Sequence, residues 1–166
     1  MLRGDFVVRA ATKGDWRKLR DLRLESLLDT PEAYGSTYEE SIRRSAAQWK
    51  QMAKNFNYFV AERDLELTGM ASGGLNERFP GTAWLYGMYV TPEERGTTMA
   101  AALVERVARW ALEAGYAELY LDVGERVARA RAFYLREGFV DTGARHALTR
   151  DSSLELLTMR RALRRG

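Results

Sequence analysis

Residues 85–100 of the chain read LYGMYVTPEERGTTMA, and this stretch contains two structural signals in succession. The first six residues belong to an apolar and aromatic run with the composition of a β-strand, and Pro92 closes that strand. Small and polar residues follow, and an apolar stripe with helical spacing begins at Ala100. The stretch therefore predicts a strand that leads through a short turn into a helix, which begins near Thr97 or Thr98.

Such a turn is a potential binding site for an anion. The N–H groups in the first turn of a helix have no intrahelical partner, and the helix dipole places partial positive charge there. Arg95 adds a full positive charge, so a pyrophosphate could lie at this end of the helix. An ordinary strand–helix turn with a solvated arginine would explain the same residues. The stretch is neither a Walker A loop nor a Gly-x-Gly-x-x-Gly turn, and the residues alone leave both interpretations open.

The rest of the chain divides into strand and helix patterns on either side of this stretch. Before this stretch we predict a strand at 6–8, a helix from about Thr12 to just before Asp29, a loop at 31–40, and a second helix with Ile42, Ala46, Trp49 and Ala53 on one face. Three strands follow, at 58–63, 67–75 and 82–90. After the helix described above, which ends at Gly115, we predict a strand at 118–123, a helix at 128–137, and strands at 139–142 and 154–163. This order predicts a central sheet with helices on its faces and at least one strand–helix–strand crossover.

The composition excludes several kinds of protein. The 166 residues suit one domain, spanning 1–166. The chain has no cysteine, which excludes disulfides and thiol nucleophiles, and with a single histidine we expect no metal site. No apolar run approaches the roughly 18 residues of a membrane span, and the N-terminus has no apolar segment of the secretory type. We therefore expect a cytoplasmic protein without a membrane partner.

The charge pattern argues against nucleic acid as a partner. The net charge is +3, and the arginines are interleaved with 23 acidic residues along the chain. A surface that follows a phosphate backbone needs its cations clustered on one face. The dense group at residues 160–165 is interpreted as the solvated end of the last strand.

Two short motifs occur in the expected order and separation. Residues 95–100 fit the pattern Gln/Arg-x-x-Gly-x-Gly/Ala at its first and last positions, and residues 130–139 read ARAFYLREGF. These resemble the pyrophosphate-binding motif and the Ala-x-x-Phe-Tyr-x-x-x-Gly-Phe segment of the GNAT superfamily of N-acetyltransferases. The order of predicted elements resembles the GNAT order over nearly the whole chain. The resemblance implies a mixed α/β fold, with a central, mostly antiparallel sheet of about seven strands flanked by about four helices.

The same resemblance implies an enzyme that uses acetyl-CoA as co-substrate. The acetyl group would pass to a primary amine of a small molecule, an amino acid or a peptide N-terminus, by direct attack in a ternary complex. The pantetheine arm would pair with the backbone of Met88, Tyr89 and Val90, and an N–H in this stretch would meet the developing oxyanion. The pyrophosphate would lie on residues 95–100, that is Arg95, Gly96, Thr97, Thr98, Met99 and Ala100.

Two positions depart from the family pattern. The usual glycine of the first motif is Thr98, and the asparagine that commonly precedes the second motif is Val127. A threonine fits if the backbone there is helical, whereas its side chain would displace the pyrophosphate if close approach requires glycine. The alternative hypothesis is therefore a GNAT-like module that binds CoA with little or no catalysis.

The resemblance also implies roles in proton transfer. Tyr134 matches the frequent general acid of the family, and its ordinary pKa of about 10 keeps it protonated at neutral pH. The base is harder to assign, because the strand at 82–90 contains no carboxylate. Glu39 is preferred over the other candidates, since the loop between the first two helices borders the acceptor site in the family; the others are Glu40, Glu77 and Asp122, each expected to lie on the surface or in a loop.

The acceptor site is expected near the same loop. Tyr34 and Tyr38 could line an apolar or aromatic acceptor pocket there. His146 is the single histidine, and its position predicts a surface loop residue that makes a hydrogen bond. Because many GNAT proteins pair through their C-terminal strands, the resemblance allows a homodimer.

Overall fold

The computed structural model describes residues 5–55 and 57–164. The described chain contains seven strands and five α-helices, with 3-10 turns at Lys13–Asp15, Pro31–Ala33 and Pro92–Glu94. The strands are β1 (Phe6–Ala10), β2 (Asn57–Arg63), β3 (Glu66–Leu75), β4 (Ala83–Val90), β5 (Glu118–Gly124), β6 (Val140–Leu148) and β7 (Asp151–Ala162). The helices are α1 (Trp16–Asp29), α2 (Tyr38–Ser41), α3 (Ala46–Asn55), α4 (Met99–Glu113) and α5 (Ala128–Arg136).

The strands form one mixed sheet in the order β1-β2-β3-β4-β5-β7-β6. Every neighbouring pair is antiparallel except β4 and β5, which are parallel and joined through α4. The predicted fold class is confirmed. The fifth helix is α2, a single turn inside the segment that we predicted as a loop.

The sheet splits between β4 and β5. These two strands pair at Ala83–Leu119 and Trp84–Tyr120, and no further residue pairs join them. On β3, one residue separates the two positions that pair with Tyr86 and Tyr89. On β4, two residues separate Tyr86 from Tyr89. The extra residue is a β-bulge, and Gly87 within it has φ +58°, a conformation that favours glycine. The bulge bends β4 where it separates from β5.

Helices cover the two faces of the sheet unequally. The apolar stripe of α4 packs on one face, where Leu103, Val104 and Val107 are fully buried, and burial of each such side chain is worth roughly 1.5–3 kcal/mol. On the other face, α1 and α3 cover the first half of the sheet through Leu19, Leu22, Ala53, Val60, Met70 and Tyr89. The second half of that face, formed by β4, β5, β7 and β6, is left open.

Two sequence predictions about the helical region were wrong. The segment at 31–40 contains a 3-10 turn and α2, which starts with a capping box in which Glu40 N–H donates to the Thr37 hydroxyl at 3.2 Å. The second long helix does not include Ile42, whose side chain is exposed. A new helix start explains this difference, because Gln48 N–H donates to the Ser45 hydroxyl at 3.2 Å and α3 begins at the following residue, Ala46.

The β6–β7 hairpin also differs from the prediction. We predicted a short strand at 139–142 and placed His146 in a loop, whereas β6 extends to Leu148 and His146 lies within it, opposite Leu156. Polar residues, glycine and alanine make up most of β6, and its side chains are mostly exposed, so it shows no apolar alternation. Pairing with β7 fixes this strand.

Candidate active site

Three neighbouring cavities surround the split between β4 and β5. The central cavity, about 390 Å³, lies between the β4 bulge and the end of β5 and is bordered by residues 33–36 and α5. The α4 cavity, about 230 Å³, lies between the end of β4, the start of α4 and α5. The open-face cavity, about 800 Å³, lies on the uncovered half of the sheet. Tyr34, Met88 and Tyr134 line both the central and the α4 cavity, while Tyr86 and Asp122 line both the central and the open-face cavity.

The α4 cavity is positively charged. Its lining includes Arg95, Arg129 and Arg136 and contains no acidic side chain. Arg95, predicted as a phosphate ligand, forms an ion pair with Asp29 at the end of α1. Neither Arg129 nor Arg136 has an ion pair within residues 5–55 and 57–164. We did not predict these two arginines, although their spacing of seven residues places them on one face of α5.

The start of α4 provides N–H donors to this cavity. The first closing hydrogen bond of the helix runs from Ala102 N–H to the Thr98 carbonyl, 3.0 Å. The Thr97 hydroxyl accepts from Met99 N–H at 3.3 Å and donates to the Glu94 carbonyl at 2.7 Å. Across the described parts of the chain, no backbone acceptor meets the N–H groups of residues 100 and 101. These donors remain available to an anion.

Thr98 occupies its position without backbone strain. Its dihedrals, φ −78° and ψ −1°, are accessible to any residue, and its side chain is exposed. The glycine that the turn requires is Gly96, which has φ +80°. An added Cβ at Gly96 would meet no atom within 4 Å, so the requirement there is conformational.

The edge of β4 that faces β5 is unpaired along the α4 cavity. Met88, Tyr89 and Val90 all line that cavity and lie beyond the last β4–β5 pair. The Tyr34 hydroxyl donates to the Met88 carbonyl at 2.8 Å. Backbone groups at an internal strand edge require partners, and an extended ligand with amide groups can supply them.

Tyr134 lies where the central and α4 cavities meet. It is 8% exposed, and its ring packs edge-on against Phe139 with the ring centroids 5.7 Å apart. Burial raises the pKa of the Tyr134 hydroxyl above its ordinary value. Among the residues that the structure describes, none forms a hydrogen bond with this hydroxyl. It therefore keeps its proton and can donate it to a ligand.

Tyr34 is brought to the same place, but Tyr38 and Glu39 are not. Arg150 donates to the Tyr34 carbonyl at 3.0 and 3.2 Å, which holds the loop against the cavities. Tyr38 and Glu39 lie on α2, and neither lines the central, α4 or open-face cavity. The side chain of Glu39 is exposed, so the structure does not place this carboxylate near Tyr134.

The open-face cavity contains a stack of aromatic rings. The Trp84 ring centroid lies 5.6 Å from that of Phe79, 6.3 Å from that of Tyr86 and 5.4 Å from that of Tyr120, with interplanar angles of 17–27°. Three of these residues lie on β4 and β5 and point to the face opposite α4. A flat, apolar wall of this kind suits a hydrophobic or aromatic part of a ligand.

Asp122 links the open-face and central cavities. Its carboxylate accepts from the Thr158 hydroxyl at 2.7 Å and lies 3.2 Å from His146 Nε2. We expected a surface or loop carboxylate and a loop histidine, whereas both side chains are half-buried on paired strands. The alternation of Glu118, Tyr120 and Asp122 already placed Asp122 on the face away from α4, and this signal could have identified it.

Val127, the second departure from the family pattern, leaves α5 without a side-chain cap. The residue lines both the central and the α4 cavity, where it presents an apolar side chain.

Within residues 5–55 and 57–164 we find no group of three metal-binding side chains. None of the helices described has the length and apolar character needed to span a membrane.

Comparison with known proteins agrees with this architecture. The acetyltransferase of the GNAT family from Streptococcus pneumoniae superposes with a TM-score of 0.79 at 16% identity, covering 96% of this chain and 100% of the other. The yncA protein from Salmonella typhimurium, solved with its cofactor acetyl-CoA, gives a TM-score of 0.75 at 21% identity, covering 98% of this chain and 96% of the other. The ribosomal-protein-alanine N-acetyltransferase from Brucella melitensis gives 0.75 at 23% identity, covering 95% and 99%.

Because each identity is below 25%, these similarities show the fold alone. No curated protein matches the chain. The acetyltransferase (GNAT) family matches residues 16–139, which include β4, the start of α4, and Tyr134 on α5. With the split sheet and the cavities already described, this match assigns the chain to the GNAT family of acetyltransferases.

Proposed function

We propose that the chain transfers an acetyl group from acetyl-CoA to a primary amine of a small molecule, an amino acid or a peptide N-terminus. The observation that carries the proposal is the position of Tyr134, which lines both the α4 cavity and the central cavity at the split between β4 and β5. Two ligands that enter from opposite sides of the sheet would meet at this residue. Family membership supports an acyltransferase, and the site supports the finer assignment.

The α4 cavity has the features that CoA binding needs. The free N–H groups at the start of α4, together with Arg95, Arg129 and Arg136, suit a pyrophosphate. The edge of β4 that faces β5 has no strand partner at Met88, Tyr89 and Val90, and this edge suits the amide groups of pantetheine. In this arrangement the thioester would lie toward Tyr134, and an N–H of the same stretch would face the oxyanion.

The acceptor would lie in the central cavity and extend along the aromatic wall. A lysine-like ammonium with a pKa near ~10.4 costs about 4.6 kcal/mol to deprotonate at pH 7, so a nearby base raises the rate. Asp122 lines the central cavity, and His146, whose Nε2 lies 3.2 Å from the Asp122 carboxylate, lines the adjoining open-face cavity, which supports this pair as the base. We assign proton removal from the amine to this pair in place of Glu39.

The proton and electron balance of the reaction is simple. The amine nitrogen attacks the thioester carbonyl, the C–N bond forms, and the C–S bond breaks. The acceptor ammonium gives one proton to the Asp122–His146 pair before the attack, and the nitrogen of the tetrahedral adduct gives a second proton to solvent as the adduct collapses. The electron pair of the C–S bond leaves on the sulfur, which receives a proton from Tyr134. Burial raises the pKa of the Tyr134 hydroxyl and so disfavours a free phenolate. After Tyr134 has given its proton to the sulfur, solvent must therefore reprotonate it promptly.

CoA binding without turnover is the alternative function. The exposed Thr98 side chain at the start of α4 favours it, because this side chain occupies the position of the usual glycine of the motif. A single assay distinguishes the two functions, because the transferase releases the CoA thiol from acetyl-CoA and the binding module does not.

We would assay thiol release across a panel of amines, amino acids and peptides, with acetyl-CoA binding measured by calorimetry. The proposal expects binding, together with thiol release that requires one class of amine. Binding without release for any acceptor would favour the alternative. Absence of binding at millimolar acetyl-CoA would overturn both.

A further inference from the structure

Arg23 holds a buried charge at the edge of the central cavity. It lies in the middle of α1, and its guanidinium stacks over the Tyr34 ring, 4.5 Å from the ring centroid. Its Nη1 atom is buried and has no hydrogen-bond partner among the residues that the structure describes. Nη1 also lies close to the β4 bulge, since a Cβ added at Gly87 would be 3.8 Å away. Arg23 thus directs an unsatisfied donor toward the space between the bulge and Tyr34.

Two other half-buried arginines are paired with carboxylates. Arg9 donates to Asp15 at 2.7 Å and to Glu62 at 2.8 Å, and Arg63 donates to Glu94 at 2.8 Å. Arg23 has no such carboxylate anywhere in residues 5–55 and 57–164. A buried charged donor without a partner is costly, and native structures keep few of them.

No side chain of residues 5–55 and 57–164 supplies the missing partner, and a bound ligand can supply it. Asp122 is the one acidic side chain that lines the central cavity, and it is already bonded to Thr158 and close to His146. The phosphates of a CoA ligand suit the three arginines of the α4 cavity. An anion bound at Arg23 would therefore belong to the acceptor.

We propose that the acceptor amine carries a carboxylate, which Arg23 binds in the central cavity. The guanidinium fork matches a carboxylate in geometry, and a single cation balances a single negative charge. This inference rests on the proposed function, because it assumes that the central cavity holds the acceptor. It narrows the acceptor to free amino acids, or to peptides with a carboxylate near the N-terminus.

The test compares matched acceptors that differ in one carboxylate. One arm measures kcat/KM for an L-amino acid such as phenylalanine against phenethylamine, its decarboxylated counterpart. The other arm compares a peptide amide that has aspartate at its second position with the asparagine version. The wild-type protein should prefer the carboxylate in one arm by roughly 10- to 100-fold, the usual worth of a charged hydrogen bond. The arm that responds identifies the source of the carboxylate.

Variants show whether Arg23 causes this preference. Arg23→Gln should bring the ratio of kcat/KM between the charged and the uncharged acceptor to about one, and Arg23→Lys should restore part of the preference. The matched control is Arg20→Gln, one turn earlier on α1, where the arginine is half-buried, lies over the Trp16 ring and pairs with Asp21. The control should keep the preference of the wild type.

Two results would overturn the inference: equal use of both acceptors by the wild type in both arms, or a preference that survives in Arg23→Gln. Acetylation of amines without any preference would refute this inference alone and leave the proposed function intact. A readout independent of turnover is thermal stabilisation by the N-acetylated product. N-acetylphenylalanine should stabilise the wild type more than Arg23→Gln. Equal stabilisation of the two would also count against a carboxylate site at Arg23.

Discussion

The α4 cavity and the open-face cavity are built in different ways. The first is formed by the segment in which β4 turns into α4, together with α5 and residues 30–34, and its charged side chains are all arginines. The second is formed by side chains from four strands that are far apart in sequence, and it combines stacked aromatic rings with the Asp122–His146 pair. A site for an invariant anionic ligand can be encoded locally, whereas a site for a particular acceptor depends on how distant strands pair.

Tyr134 lies between the two regions, and its removal should have the largest effect. Tyr134→Phe keeps the ring packing against Phe139 and removes the hydroxyl. We expect turnover to fall by about 10²- to 10⁴-fold, as for loss of a general acid, while the dissociation constant of acetyl-CoA stays within about threefold. Tyr116→Phe is the control, since Tyr116 lines none of the three cavities. Equal losses in turnover and affinity would contradict the acid role.

Asp122→Asn should affect the acceptor side alone. Asparagine can still accept from Thr158, but it cannot take a proton from the amine. We expect turnover with an alkylamine to fall about 100-fold, and His146→Gln to lower it less. With an aromatic amine of low pKa, which is already neutral at pH 7, the loss should shrink below about tenfold. A loss of the same size for both amines would argue against proton removal by this pair.

The double variant Arg129→Gln/Arg136→Gln should affect the opposite side. Both arginines line the α4 cavity, and loss of these two exposed charges should weaken acetyl-CoA binding by roughly tenfold and reduce its dependence on salt. Calorimetry at two ionic strengths measures both effects. The exposed Arg109 on α4 provides the control Arg109→Gln, which should change neither quantity. Unchanged affinity in the double variant would mean that the phosphates lie elsewhere.

Thr98→Gly should have a small effect. The position has helical dihedrals, and replacing threonine with glycine at a helix N-cap costs only a few tenths of a kcal/mol. We expect the glycine variant to bind acetyl-CoA at least as tightly as the wild type, within about threefold. A marked loss of affinity would identify the threonine hydroxyl as a phosphate ligand.

The Tyr134 hydroxyl should stay protonated below pH 10, so the pH dependence of turnover should show no loss of this acid in that range. Burial raises the pKa of Tyr134 above its ordinary value of 10, so the hydroxyl keeps its proton until the pH passes that raised value. With an acceptor that is neutral throughout, turnover should therefore not fall between pH 7 and pH 10. A decline with a midpoint in that range, absent from Tyr134→Phe, would show that the site lowers the pKa of the hydroxyl instead.

The difference between the two cavities also explains what the sequence could predict. Residues 85–100 and 130–139 are contiguous motifs, so the strand, the turn at Gly96 and the position of Tyr134 could be inferred from local patterns. His146 could not, because β6 lacks apolar alternation and becomes a strand through pairing with β7. We chose Glu39 as the base because the sequence placed it in a loop beside the acceptor site. In the structure a capping box starts α2 in that loop, and the side chain of Glu39 is exposed to solvent.

Arg23 is a further case of information that only the folded chain contains. In sequence it is one of several arginines along α1, with no pattern to distinguish it. The structure separates it from Arg20 by its contact with Tyr34 and its unsatisfied Nη1 atom. Burial and the absence of a partner are tertiary properties, since they depend on where the loop and the β4 bulge lie.

The central claim is that the thioester lies at the split between β4 and β5, beside Tyr134. A crystal structure of the protein with acetyl-CoA bound tests it most directly. The account predicts that the pyrophosphate contacts the start of α4, that pantetheine runs along residues 88–90, and that the sulfur lies within hydrogen-bond distance of the Tyr134 hydroxyl. A sulfur that lies outside both the α4 and the central cavity, with Tyr134 in contact with no part of the ligand, would contradict the account.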